Sequence, residues 1–214
     1  STPAVMAELA AREPLVRPLR RGPPNGVGRA LADGLAAASG RYVLTMDSDF
    51  EHLLPELRDM FQAVPEGYDV VIGSRFSRHS VLLNYPFTKI FANRAFHFLA
   101  RIFLGHTFRD TTNNLKLMKR EVVARLHLRQ PGFAVNAETG LQPWLLGCKI
   151  REMPISWIDR TPGMGVSSFR LARVGGGYWS VLLGLWLKKA FGVGPYRELG
   201  HVRPAPDRAV TEGA

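Results

Sequence analysis

Acidic residues and cysteine are scarce in this chain, and long uncharged apolar runs are missing. Of 214 residues, 18 are Asp or Glu against 28 Lys and Arg, which leaves a formal net charge of +10. The single cysteine, Cys148, excludes an internal disulfide and fits a reducing compartment. It lies in the apolar stretch WLLGCKI and reads as a buried thiol rather than a nucleophile. With one cysteine and six scattered histidines, a four-ligand Cys/His zinc site is not expected. No uncharged apolar run approaches the ~20 residues a membrane span needs, and no secretory signal is read at the start. The expectation is a protein that is soluble or lies on a membrane surface.

What is present is the composition of one globular domain with its own core: 46% hydrophobic residues, 21% charged residues, and glycines and prolines dispersed without a repeat. The positive excess fits nucleic acid, an anionic membrane surface or a phosphorylated substrate. No nucleic-acid-binding motif accompanies it, so nucleic acid is not an expected partner.

Along the chain, residues 3–11 have helical spacing, and LVRPLRR (15–21) is a short basic strand candidate. The breaker cluster GPPNG (22–26) leads into an Ala/Leu-rich helix that Gly40 is placed to end. RYVLTM is a strand, LLPELRDMFQAV a helix with Pro55 near its start, and YDVVIGSR a second buried strand. This alternation predicts an α/β layered sheet, in which ligand sites collect outside the carboxyl ends of strands. YPFTKIFANRAFHFLARIFLG is a long helix candidate. FRDTTNNLKLMKREVVARL reads as a polar loop, a strand and a helix. NAETGLQPWLLGCKIREMPISWIDR reads as a helix then a strand. TPGMGVSSF is a Gly/Ser loop, and LARVGGGYWSVLLGLWLKKAFG is a final amphipathic helix. The expected organisation is a catalytic domain over 1–170, a C-terminal amphipathic helix over 171–192, and a flexible tail over 193–214.

The chemistry concentrates where the first of these strands ends, in MDSDFE. Asp47 and Asp49 are one residue apart and share a face if strand geometry persists. Two carboxylates so close repel unless a cation lies between them, and hard divalent ions such as Mg²⁺ or Mn²⁺ suit their oxygens. Glu51 adds a possible third ligand. A solvated acidic turn is the plain alternative for so short a pattern. The second strand ends in Gly73, Ser74 and Arg75, and an arginine fork matches phosphate oxygens; a surface ion pair is the plain alternative there.

The ordered series NGVGRALADGLAAASGRYVLTMDSD, LPEL, YDVVIGSRF, RDTTNNLKLMKREV, NAETGLQPWLLGCKIREMPI and R…G…SSF covers roughly residues 20–170. It resembles the family 2 glycosyltransferases of the GT-A fold, nearest their polyprenyl-phosphate (dolichyl-phosphate) mannose synthase-like branch. The resemblance implies a Rossmann-like mixed sheet flanked by helices. It also implies a metal-dependent, inverting transfer of a hexose from a nucleotide-sugar donor to a polyprenyl-phosphate acceptor. By that resemblance Asp47 approaches the donor ribose and diphosphate, and Asp49 ligates Mg²⁺ or Mn²⁺ with Asp47 and Glu51 in its shell. Arg75 contacts a phosphate, while Gly26, Arg160, Ser167 and Ser168 serve the donor phosphates. Asp110, Thr111 and Thr112 form the polar loop near the acceptor, with Lys89 and Arg94 as further acceptor-side cations. Glu138 lies near the sugar, and Glu138 or Asp110 would act as base for a hydroxyl acceptor; a phosphate acceptor needs none.

Two departures stand out: Ser167–Ser168 replaces a Ser-Lys pair, and the family's first two strands have no counterpart, so the chain reads as N-terminally incomplete. The helices about 86–104 and 172–191 combine aromatics with Lys and Arg, which suits peripheral attachment at the cytoplasmic face of a membrane. Two alternatives remain: a glycosyltransferase acting on a saccharide or other hydroxyl, or a catalytically incompetent GT-A fragment that serves as a binding protein.

Overall fold

The computed structural model describes residues 2–47, 53–159 and 171–193. In chain order the elements are α1 (Thr2–Arg12), α2 (Val27–Ala37), β1 (Tyr42–Thr45), α3 (Leu54–Gln62), a 3-10 turn (Val64–Glu66), β2 (Val70–Ser74) and β3 (Leu82–Leu83). There follow α4 (Phe87–Leu104), β4 (Lys116–Lys119), α5 (Arg120–Val123), α6 (Val135–Leu145), β5 (Ile150–Pro154), β6 (Trp157–Ile158) and α7 (Leu171–Ala190).

Four strands form a mixed sheet in the order β1-β4-β2-β5, and β3 and β6 make a separate parallel pair. Both β1 and β2 run antiparallel to β4, and β5 runs parallel to β2. The carboxyl ends of β1, β2 and β5 therefore share one edge of the sheet with the entry to β4. Every polar motif singled out at a strand end is delivered to that edge.

Alternation along the strands sorts the core into two faces. Val70, Ile72 and Met118 pack on one side with Leu35 of α2 and Val122 of α5. Val71, Leu115 and Leu117 pack on the other with Met60 and Ala63 next to α3. All five residues of β2 are buried, and each of its three aliphatic side chains contributes roughly 1.5–3 kcal/mol by leaving water. A third cluster joins α4, α6 and α7 through Ala100, Leu104, Leu141, Leu145, Val181, Leu182 and Leu185. So α7 is part of the core on one side, and α4 and α7 turn their other sides to solvent.

Two local expectations fail. LVRPLRR forms no strand: the described residues 15–21 are turn and coil. Pro18 removes a ladder donor there, and among the described residues β1 has a neighbour on one side only. Gly40 does not end α2, which stops at Ala37 because Ala38 turns extended. By contrast α4 ends as its sequence predicts, with Gly105 left-handed at φ 69° and its N–H bonded to the last turn. Helix α1 buries none of its residues. The expected tail beyond residue 193 and the TPGMGVSSF loop lie outside the described residues. Cys148 is half-buried, and burial raises its thiol above the ordinary value, which keeps it protonated.

Candidate functional site

Three loops converge on the shared sheet edge. Thr45 ends β1, and its hydroxyl donates to the Asn114 carbonyl, while the Asn114 amide donates to Asp47 Oδ1 at 3.0 Å. The strand end and the entry to β4 thereby orient the Asp47 carboxylate together. Asp49 and Glu51, its expected partners in a metal shell, lie outside the described residues, as do Arg160, Ser167 and Ser168.

At the end of β2, Arg75 and Asp110 form a buried fork. Nε donates to Oδ2 at 2.7 Å, the second guanidinium nitrogen to Oδ1 at 3.0 Å, and the Arg75 backbone N–H to Oδ2 at 3.1 Å. Burial alone would raise the Asp110 carboxyl, but the Arg75 charge and hydrogen bonds overcome it and hold the group far below the usual carboxylate range. Arg75 shifts up for the reciprocal reason, against its own desolvation. Its remaining nitrogen donates to the Tyr85 hydroxyl at 3.1 Å, and Phe76, Tyr85 and Trp157 surround the guanidinium with ring centroids 5.8, 5.7 and 5.1 Å away. This corrects the reading of Arg75 as an open phosphate fork, because its carboxylate-matching side is already occupied. Asp110 is likewise no base: both of its oxygens are committed and its proton affinity is very low.

The rest of the DTT loop is held from three directions. Asn93 of α4 donates to Asp110 Oδ1 at 3.2 Å and to Thr112 Oγ1 at 2.9 Å. Glu152 of β5 accepts the backbone N–H of Arg109 at 2.9 Å and of Asp110 at 2.7 Å. His97 Nε2 accepts the Thr111 N–H at 2.9 Å while Nδ1 donates to the Asn93 carbonyl at 2.8 Å, which selects the neutral tautomer. Helix α6 presses on the loop from beneath: a Cβ on Gly140 would stand 2.0 Å from the Thr111 carbonyl oxygen. Thr111 and Thr112 are buried, so their hydroxyls build the loop instead of lining an open acceptor surface.

Lys89 pairs with Asp159 at 2.9 Å and stands 5.5 Å from the Tyr85 ring centroid. Arg94 donates to Asn93 and to the Arg109 carbonyl and lies 4.1 Å over Phe76. Both cations therefore ring the Arg75 fork. Gly26 and Glu138 belong to another corner. The Glu138 carboxylate accepts the N–H of Arg129 at 2.9 Å and of Gln130 at 3.0 Å. The Pro131 carbonyl next in line accepts the Gly28 N–H at 3.0 Å. A Cβ on Gly26 would meet that carbonyl oxygen at 2.3 Å, and one on Gly28 would meet Gln130 O at 2.0 Å. Burial raises the Glu138 carboxyl, partly offset by these N–H donors. Its bonding is that of a clamp on residues 129 and 130, not of an acid poised over a substrate.

Lys116 escapes a sequence reading. It is fully buried, opposite Thr45 in β1 and Ile72 in β2, and its Nζ donates to the carbonyls of Asn113 and, at 3.2 Å, Asn136. Burial lowers it to about 7, with Asp110 and Asp47 pulling the other way. The available signal was a lysine at an inward position of an apolar strand, LKLMK. Asn114 and Glu152 carry no comparable signal.

Next to the site, His106 is fully buried between His97, Phe108 and Trp144, and neither ring nitrogen meets a hydrogen-bond partner among the described residues. Burial lowers His97 to about 4, against the pull of Asp110 and with Arg94 and Arg75 adding to the shift; it lowers His106 to about 3, with His97 and Arg101 adding. Both groups are depressed from 6.5, so the unfolded chain binds more protons than the folded one below that pH. Their contribution is complete above pH 6.5 and is lost as pH falls toward 4 and then 3. The unfolding free energy from urea titrations should therefore fall below pH 6.5, by an amount on the order of a few kcal/mol. His106→Phe should flatten that slope, and an unchanged slope in the variant would refute the assignment.

The sequence pattern described as Glycosyl transferase family 2 matches residues 1–126. A dolichol-phosphate mannosyltransferase from Pyrococcus furiosus is 28% identical over 158 residues, 73% of this chain and 44% of that protein. A dolichyl-phosphate hexose transferase from Haloferax volcanii is 28% identical over 64% of this chain and 59% of that protein. A polyprenol monophosphomannose synthase from Mycolicibacterium smegmatis is 28% identical over 78% and 66%. The chain thus spans between 44% and 66% of the length of these relatives. Among solved structures, glucosyl-3-phosphoglycerate synthase from Mycobacterium tuberculosis, in complex with Mg²⁺ and uridine diphosphate, superposes with a TM-score of 0.51 at 22% identity. The match covers 83% of this chain and 57% of that one.

Proposed function

Because the chain belongs to glycosyl transferase family 2, by its match over residues 1–126, and has the GT-A fold, we propose that it forms the catalytic part of an inverting hexosyltransferase. The donor is a nucleoside-diphosphate sugar and the acceptor a polyprenyl phosphate at the cytoplasmic face of a membrane. One observation carries the choice of acceptor. Cations gather at the sheet edge, while both candidate bases are already committed: Asp110 to Arg75, and Glu138 to the N–H groups of Arg129 and Gln130. A hydroxyl acceptor needs a base to take its proton. A phosphate is already anionic and needs only positive charge and position. The names of the three relatives, each a dolichyl- or polyprenyl-phosphate enzyme, point the same way.

The residues present suit a divalent cation, since Asp47 brings a carboxylate oriented by Asn114 to the end of β1 and oxygen donors are what Mg²⁺ and Mn²⁺ prefer. Asp47, Asp49 and Glu51 would hold it, and when bound it neutralises charge on the departing diphosphate. The chain's own groups do the rest. An acceptor phosphate oxygen forms the new bond to the anomeric carbon on the face opposite the diphosphate oxygen, which leaves with the bonding pair. Lys116, lowered to about 7 and held by the carbonyls of Asn113 and Asn136 with no carboxylate in hydrogen-bond range among the described residues, and Arg94 over Phe76 supply positive charge at that edge, while Arg75 is already paired with Asp110. Asn93, His97 and Glu152 fix the loop that separates them.

The test supplies nucleotide sugars singly, with Mg²⁺ or Mn²⁺ and a short-chain polyprenyl phosphate. The expected result is a glycosyl phospholipid whose formation stops on chelation and resumes with added metal. Transfer to a free saccharide hydroxyl, with polyprenyl phosphate inert, would overturn the acceptor reading.

A further inference from the structure

Lys116 stands where a core strand would otherwise be apolar. It shares a face of β4 with Met118 and lies opposite Thr45 of β1 and Ile72 of β2. Its chain neighbours Leu115, Leu117 and Met118 are buried, as it is. Holding a cation there costs free energy: desolvation by burial lowers Lys116 to about 7, with Arg75 adding to the shift and Asp110 and Asp47 opposing it. A methionine matches the aliphatic stem and would pack without that cost. Natural sequences break such a rule chiefly at functional positions.

The partners of Nζ indicate the role. One bond goes to the Asn113 carbonyl. That oxygen and the Asn114 N–H belong to one planar peptide unit, so the bond fixes the plane from which Asn114 departs. The next peptide unit is held from β1, where the Thr45 hydroxyl donates to the Asn114 carbonyl. Asn114 is thereby fixed at both flanking peptides, and its side-chain amide donates to Asp47 Oδ1 at 3.0 Å. The second Nζ bond, at 3.2 Å, reaches the Asn136 carbonyl in α6. That helix is anchored in the core through Ala137, Leu141 and Leu145. The Asn113 amide meanwhile donates to the Gly73 carbonyl at 2.8 Å. The short loop before β4 is thus tied to β2 by Asn113 and to α6 by Lys116.

We infer that Lys116 is a positioning residue for the Asp47 carboxylate. By spanning the Asn113 and Asn136 carbonyls it locks the Asn113–Asn114 peptide to α6, and through the Asn114 amide it sets the direction of Asp47 Oδ1. That the carboxylate so directed serves a divalent cation rests on the function proposed above; the positioning itself rests on the chain of hydrogen bonds. The role needs N–H donors at the end of a long stem. Methionine fills the same space and drops both bonds, whereas the arginine fork keeps donors for both carbonyls.

Two readouts separate positioning from folding. The first is the side-chain amide resonance of Asn114 in isotope-labelled protein, identified by its loss in Asn114→Ala. In Lys116→Met it should move most of the way to its position in Asp47→Ala, where the bond to Oδ1 is gone. The second is Mn²⁺ affinity followed by electron paramagnetic resonance, which should fall by about ten-fold in Lys116→Met with circular dichroism unchanged. Lys116→Arg should return both readouts close to wild type. Val122→Ala, a core truncation in α5 at the far end of β4, should lower the urea midpoint and move neither. Should Lys116→Met not fold, Lys116→Gln, whose amide nitrogen falls one atom short, is read in the same two ways with the same changes expected. The inference is overturned if the Asn114 resonance of the folded variant stays at its wild-type position, or if the variant binds Mn²⁺ as tightly as a wild type that binds it. If the wild type binds no Mn²⁺ while the Asn114 resonance moves, Lys116 still positions Asp47 and the metal reading falls instead.

Discussion

Asp110→Ala is expected to cost about 3–5 kcal/mol of folding stability, the scale for removing one partner of a buried ion pair. The carboxylate is fully buried, and it takes two guanidinium bonds, the Arg75 backbone N–H and the Asn93 amide. Without it Arg75 remains in the interior among Phe76, Tyr85 and Trp157, and ring faces compensate a desolvated cation only in part. Urea unfolding at neutral pH measures the loss. Arg75→Met in the Asp110→Ala background should recover much of it, because the stranded charge is then gone; the double-mutant cycle isolates the pair. A single-variant loss below about 1 kcal/mol would place the pair among exposed bridges of little consequence. The acid limb follows the same logic. The Asp110 carboxyl is depressed below 3.8, so its contribution is complete above that pH and is lost as pH falls toward the lower folded-state value.

Asp47→Ala and Asp49→Ala are expected to reduce metal-dependent turnover by about a thousand-fold or more, equivalent to roughly 4 kcal/mol of transition-state stabilisation. Stability should hardly move for Asp47→Ala, since that carboxylate is only partly buried. Separating turnover from unfolding in this way is what distinguishes a metal ligand from a structural acid. Asn114→Ala tests the positioning bond to Asp47 Oδ1. It should reduce turnover by about ten-fold and raise the metal concentration needed for half-maximal rate, a shift that a purely structural asparagine would not produce. Full turnover by Asp49→Ala under chelation-sensitive conditions would remove the metal assignment.

Local pattern carried much of the fold. Three successive buried aliphatics in YDVVIGSR mark a strand covered on both faces, and β2 is buried throughout. Phe and Leu at helical spacing before Gly105 predict α4 and its end. The same reasoning fails at LVRPLRR, where propensity meets Pro18 and no described neighbour strand. It also misses β3 and β6, two-residue strands held by pairing with each other.

Sequence alone determined that two strands lead into Asp47 and into Ser74–Arg75, that a DTT loop precedes a third strand, and that the chain offers no uncharged apolar run of the length a helical span needs. Residue type and spacing are local properties, and covalent order preserves them. Tertiary structure decided which groups meet. It inserted β4 between β1 and β2, so that Asp110 reaches Arg75 and Asn114 reaches Asp47. It also buried Lys116, tied Glu138 to residues 129–130 and left one side of α4 bare. Partners such as Asp47 and Asn114, 67 residues apart, owe their contact to strand order, and strand order is chosen by burying both faces of the whole sheet at once.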